Sequence, residues 1–228
     1  MLRIPNMHIE GGFYYVTIHG DDDKNVFKDS EDYQVCLNLL KKYKEQYGFK
    51  LFAFVLLPNH LGLLIEFKEG ITLSDIIHDL TGNYCKYFNK KYGLQGHLFQ
   101  EGYKMNLMEK TLYLIYMTAY IHLYPEWLNL VPNALPAYSS FPLYLYYAGP
   151  KGDYTNTKQG FFGFDLGMKQ EIMEVLNDLV EKNYGSYLRC ISKEEIRFFA
   201  KQLKKEIVLG SEGFMETVKL KMEVYCQE

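Results

Sequence analysis

A chain of 228 residues with 48% hydrophobic content can build one ordinary domain with an appendage, or one large domain. Its formal net charge of −3 and sequence pI of about 6.1 lack the overall basic footprint usual in nucleic-acid binding proteins, which leaves room only for a local patch. Cys36, Cys85, Cys190 and Cys226 form no CxxC pair and are widely spaced, which argues against a zinc site or a disulfide framework and for a reducing, cytoplasmic setting.

No apolar run approaches the length that spans a bilayer, and Met1 to Gly12 has no apolar leader core, so no membrane partner is expected. The 21 Tyr against a single Trp suit either stacking surfaces or a tyrosine-rich core.

Phe13 to Ile18 is β-rich and predicts a first strand, closed by His19-Gly20 and the acidic run Asp21-Asp22-Asp23. That run reads as a solvated loop or as a cation site. Tyr33, Cys36, Leu37, Leu40, Tyr43 and Tyr47 recur at helical spacing, predicting a helix from Ser30 to Tyr47 that Gly48 ends. Phe49 to Leu57 and His60 to Glu66 read as an antiparallel pair joined at Pro58-Asn59. With a period of two, His60, Gly62, Leu64 and Glu66 share one face of their strand.

A second helix is predicted from Leu73 to Tyr92, started at Ser74-Asp75, with Lys86, Lys90 and Lys91 near its C-terminal end. His97 to Gln100 and Tyr103 to Leu107 read as a last strand broken at Gly102, and Lys110 to Tyr124 as a third helix stopped by Pro125. The resulting order is that of an α+β, ferredoxin-like antiparallel sheet with helices packed on it.

Pro132, Pro136, Pro142 and Pro150 forbid a long helix beyond this point, and Tyr144 to Tyr147 reads as a short strand or an aromatic brace. Helices are then predicted for Met168 to Lys182, from the Ser192-Lys193-Glu194-Glu195 capping box to Gly210, and for Phe214 to Val224. The mixed charge of the middle one fits solvated surface or a DNA-reading helix-turn-helix. The expected division is 1–127 for the sheet domain, 128–167 for a Pro/Tyr-rich irregular connector and 168–228 for a C-terminal helical extension.

The stretch Leu56-Leu57-Pro58-Asn59-His60-Leu61-Gly62-Leu63-Leu64 resembles the "MPNHxHLL" signature of the single-tyrosine HUH transposases, in the branch of REP-associated tyrosine transposases. The resemblance extends to "GGFYYVTIHG", to "GNYCKYFNKKYGLQGHLFQEGYK", to "YIHLYPEW" beside the family's "YIHLNPV", and to "AYSSF". It implies a transposase that nicks and rejoins single-stranded DNA beside a hairpin, with Tyr120 as the nucleophile forming a 5′-phosphotyrosine. It implies a divalent metal, Mg or Mn, held by two His and by an amide residue four positions after the Tyr. Metal polarises the phosphoryl group for attack by a phenol that is a weak nucleophile at its ordinary pKa of about 10.

Only His60 survives of that ligand set. The second His position is Gly62, which has no side chain, and the amide position is Tyr124, a neutral phenol that suits a hard cation poorly. The family's Gly-Arg-Tyr-Lys is Glu101-Gly102-Tyr103-Lys104 here, so an Arg fork for phosphate is missing. Lys86, Lys90, Lys91, Tyr103 and Lys104 remain as DNA-binding candidates, interleaved with Tyr84, Tyr87, Phe88 and Tyr92 as a stacking platform. Without the motif, Tyr120 reads as a core tyrosine, since Leu112, Ile115, Tyr116, Ala119 and Leu123 fit the same helical pattern. Three functions follow: a transposase with impaired or lost metal-dependent catalysis, a domesticated non-catalytic binder of DNA hairpins, or a protein-interaction module. A homodimer is compatible with each.

Overall fold

The computed structural model describes residue 9 and residues 11–127, 138–148, 166–179 and 184–225. Strands β1 (Gly12–His19), β2 (Lys50–Leu57), β3 (His60–Glu66), β4 (Lys104–Glu109) and β5 (Val208–Leu209) form one sheet in the order β2-β3-β1-β4-β5. The first four pair antiparallel, in the split βαβ arrangement the sequence predicts, and β5 joins β4 in parallel.

Helices α1 (Ser30–Tyr47) and α2 (Leu73–Tyr92) start and stop by local chemistry. Asp29 and Asp32 form a capping box at the start of α1, and Gly48 closes it in the left-handed region at φ 64°. Thr72, rather than Ser74, caps α2 by accepting from the Asp75 N–H. Helix α3 (Lys110–Trp127) lies across the sheet face that carries Tyr15 and His60. This leaves α1 and α2, packed side by side, to cover the opposite face, where Val16, Ile18, Leu61, Leu63 and Ile65 are fully buried.

Several elements differ from expectation. Helix α3 passes through Pro125 and ends two residues later, so the i−4 hydrogen bond that the proline lacks is lost only in the final turn. Only an isolated bridge, Gly20 to Phe99, forms where a strand over 97–100 is predicted. Tyr144 to Tyr147 lie in a short helix, α4 (Phe141–Ala148), with Pro142 in its first turn, where a missing N–H costs nothing. Tyr144 is nevertheless a brace: it is fully buried and its hydroxyl donates to the Phe52 carbonyl at 2.6 Å. Of the prolines between 128 and 150, Pro132, Pro136 and Pro150 lie outside the described residues, as does most of the predicted connector.

The C-terminal helices are α5 (Lys169–Asn177), α6 (Tyr184–Cys190), α7 (Lys193–Lys205) and α8 (Glu212–Tyr225). The predicted helix from Met168 ends at Asn177, and residues 180–182 of it lie outside the described residues. The helix opened by the Ser192 capping box stops at Lys205 rather than Gly210, because Ile207 to Leu209 are drawn onto the sheet. Asn106 of β4 holds this junction by donating to the carbonyls of Leu203 at 2.9 Å and Glu206 at 2.6 Å. Helix α5 is tied by ion pairs: Lys110 bridges Glu66 and Glu174 at 2.5 Å each, and Lys44 pairs with Glu171 at 2.9 Å. Among the described residues, no helix is long and apolar enough to cross a membrane.

Candidate active site

Sheet register decides which side chains can meet. Thr17 lies opposite Gly62, His19 opposite His60 and Tyr15 opposite Leu64, so Tyr15, Thr17 and His19 of β1 share the face of His60, Gly62 and Leu64. Lys104 and Asn106 extend that face on β4, opposite Thr17 and Tyr15. Helix α3 adds Tyr120 and Tyr124, one turn apart on the same side. The structure therefore brings together the residues that the sequence motif assigned to one site.

His60 is enclosed and fully partnered. Its Nδ1 lies 2.8 Å from Asn59 Oδ1 and its Nε2 lies 2.8 Å from Tyr124 Oη. The ring stacks on that of His19, with centroids 4.7 Å apart and planes 13° from parallel. Burial, with the neighbouring His19 adding to it, pushes the His60 pKa down to about 4. The imidazole is therefore neutral at pH 7. Since the Asn59 oxygen can only accept, Nδ1 carries the hydrogen and Nε2 accepts from the Tyr124 hydroxyl.

Gly62 faces occupied space. A Cβ added there would stand 3.2 Å from Tyr15 Oη, 3.3 Å from Tyr15 Cε2 and 3.3 Å from Val55 Cγ1. The Tyr15 phenol thus takes the room into which a second His would grow, and its hydroxyl interacts with that of Tyr124. This donor set does not fit a divalent cation. His60 has both nitrogens engaged, by the Asn59 amide oxygen and the protonated Tyr124 phenol; the stacked His19 is the second imidazole beside it, and among the described residues no group of three or more His, Cys, Asp or Glu is placed to hold an ion.

Tyr120 sits inside the same aromatic cluster, 6% exposed. Its ring stacks on Tyr124 at 4.9 Å and 13°, meets Tyr15 edge-on at 5.9 Å, and is covered from α7 by Phe199 at 5.6 Å. Burial raises its pKa well above the usual tyrosine value. The phenol is therefore buried among rings and protonated at neutral pH.

His122 lies on another side of α3, as the helical angle from Tyr120 predicts. It is completely buried, with Nδ1 2.7 Å from Tyr184 Oη and Nε2 2.7 Å from Ser140 Oγ, and burial lowers its pKa to about 3. Ser140 Oγ in turn accepts from the Phe54 N–H at 3.0 Å, while Leu56 N donates to the Tyr138 carbonyl at 2.8 Å. The His and Ser-Ser motifs therefore join α3 to the outer edge of β2.

The predicted DNA-binding lysines divide into two groups. Lys86, Lys90 and Lys104 are exposed and make no ion pair among the described residues. Lys91 is drawn into a cluster with Asp29 at 2.8 Å and with Glu31 and Asp32 at 2.9 Å. Tyr87 and Tyr92 donate to the buried Asp32, and Tyr84 donates to the Val26 carbonyl, so these three hydroxyls serve the interior. The Tyr103 hydroxyl lies 3.2 Å from Ser74 Oγ. Gly102, where the resembling family has Arg, turns at φ 82°, a conformation that strains a side-chain-bearing residue.

Tyr15 and His19 complete this site and were not singled out by sequence. The signal was available: both belong to the first strand, at alternate positions, and both oppose the His60 strand in a split βαβ sheet.

Residues 14–123 match the family model described as "Transposase IS200 like". No curated protein matches the chain. One similar solved structure is described as a REP-associated tyrosine transposase bound to a REP hairpin. It is 20% identical, over 62% of this chain and 83% of that chain, with a TM-score of 0.49. A Deinococcus radiodurans crystal structure described as that of a transposase is 19% identical, over 46% of this chain and 85% of that chain, with a TM-score of 0.37.

Proposed function

Residues 14–123 form a domain of the IS200-like transposase family, and from that premise we propose that this protein binds single-stranded or hairpin DNA but has lost metal-dependent strand cleavage. The observation that carries the loss is the 2.8 Å contact between His60 Nε2 and Tyr124 Oη. In a working site of this kind that nitrogen would face a metal. Here it accepts from a phenol at the position where the resembling family supplies an amide ligand, and Tyr15 fills the space beside Gly62.

Cleavage needs Tyr120 to approach a phosphorus in line and to shed its proton. Both conditions oppose its placement under Tyr124, Tyr15 and Phe199. DNA binding makes lighter demands, because it needs accessible cations and donors rather than a metal. Lys86, Lys90 and Lys104 supply these at the surface.

The test is fluorescence anisotropy with a labelled single-stranded oligonucleotide bearing a hairpin, with and without a chelator. The reading predicts salt-sensitive binding that is equal in both conditions. Absence of binding at low salt would overturn it in favour of a protein-interaction role, and binding abolished by the chelator would overturn the loss of the metal.

A further inference from the structure

We propose that Thr17, His19 and Lys104 form a phosphate-binding row at the open end of the His60 face, taking one backbone phosphate of a DNA strand. The inference rests on the DNA-binding reading above and names the residues that make the contact.

Strand register builds the row. Thr17 of β1 stands directly opposite Lys104 of β4, and His19 is the next residue along the same face of β1. Directly opposed side chains start about 5 Å apart and diagonal ones about 7–8 Å, which is the span of one phosphate and its contacts. The backbone beneath is pinned: Gln100 N–H donates to the His19 carbonyl at 2.9 Å, and Gly20 N–H donates to the Asn59 carbonyl at 2.8 Å.

The three side chains are also uncommitted. Thr17 and His19 are half-buried and Lys104 is exposed, and none has a hydrogen-bond or ion-pair partner among the described residues. Elsewhere in the molecule Lys44, Lys50, Lys91 and Lys110 all meet carboxylates. The His19 ring is oriented by its stacking on His60, which leaves both of its nitrogens for a ligand.

The donors suit a phosphodiester. Lys104 supplies charge, while the Thr17 hydroxyl and a His19 N–H supply neutral donors to the two non-bridging oxygens. His19 senses the charge of Lys104 and, opposing it, that of the Asp23 carboxylate. The neighbouring Asp21 and Asp22 are partly neutralised by Lys24 at 3.7 and 3.6 Å.

The experiment is the same anisotropy titration across a salt series, with wild type, Lys104→Ala, His19→Ala, Thr17→Val and, as a remote control on α8, Lys219→Ala. Lys104→Ala is expected to weaken binding about tenfold and to flatten the slope of log affinity against log salt by about one. His19→Ala and Thr17→Val are expected to weaken binding several-fold with the slope unchanged, and Lys219→Ala to match wild type. Thr17→Val keeps the side-chain shape, so a loss there is not misfolding. Salt-sensitive binding by wild type that all three row variants share unchanged would overturn the row and leave the DNA-binding reading standing. No binding by wild type would overturn that reading itself.

Discussion

Tyr124 donates to His60 across 64 residues of chain, with 2.8 Å between Oη and Nε2, and in the function proposed above this bond takes the place of a metal–imidazole contact. A phenol in this place turns a ligand into a buried hydrogen-bond acceptor. The bond is part of the core as much as of the site, since Tyr124, Tyr120 and Tyr15 are all buried around it.

Removing the Tyr124 hydroxyl should therefore lower stability. Tyr124→Phe leaves the buried Nε2 of His60 without its donor, which is expected to cost about 1–2 kcal/mol in urea denaturation. No change in midpoint would show that the bond contributes nothing.

A divalent site should be recoverable, but only if the occupying phenol is also removed. Gly62→His with Tyr124→Asn restores the ligand types, yet the new side chain runs into Tyr15 Oη at 3.2 Å. Adding Tyr15→Ala clears that space. Calorimetry is expected to show Mn²⁺ binding by the triple variant and clearly weaker binding by the double variant. Equal affinity in the two would mean that Tyr15 is no obstacle.

Stability should fall in mild acid. His60 and His122 have folded pKa values of about 4 and about 3, against 6.5 when free. Between pH 6.5 and these lower values the unfolded chain holds protons that the folded chain does not, so acidification favours unfolding, and the contribution is complete above pH 6.5. Each histidine is expected to cost about 2 kcal/mol by pH 5. Urea midpoints at pH 7 and pH 5 check this, and a His60→Gln variant should lose less over the same interval. A flat profile in wild type would contradict the burial of both imidazoles.

The attachment of the C-terminal helices should depend on Asn106. Asn106→Leu leaves the carbonyls of Leu203 and Glu206 without their donor, with an expected loss of about 2 kcal/mol. Hydrogen exchange should show faster protection loss in α7 than in α1. Unchanged exchange in α7 would indicate that the Phe199 contacts alone hold it.

Much of the fold was legible because its signals are local. The alternation through His60 and Gly62, the 3.6-residue period of α1 and α2, and the capping box at Ser192 each report a backbone state without reference to distant residues. Strand β5 left no such signal: Val208 and Leu209 are too short a run to show a period, and they become a strand only because β4 offers an open edge. The site was legible in its positions but not in its contacts. Sequence gives His60 and Tyr124 as two parts of one motif, whereas the hydrogen bond between them, and the leaning of Tyr15 over Gly62, depend on how α3 seats on the sheet. Lys91 illustrates the same limit: its place beside Lys86 and Lys90 suggests a DNA-binding cation, and only the folded chain brings Asp29, Glu31 and Asp32 around it.

The most direct measurement is a covalent-trapping assay: protein, labelled single-stranded DNA bearing a hairpin, and Mn²⁺, resolved on a denaturing gel beside Tyr120→Phe. The account predicts no protein–DNA adduct in either lane, with DNA binding retained under native conditions. A shifted band in wild type that vanishes in Tyr120→Phe would contradict it, showing that the phenol escapes its aromatic cover and that the site holds a metal in spite of the His60–Tyr124 bond.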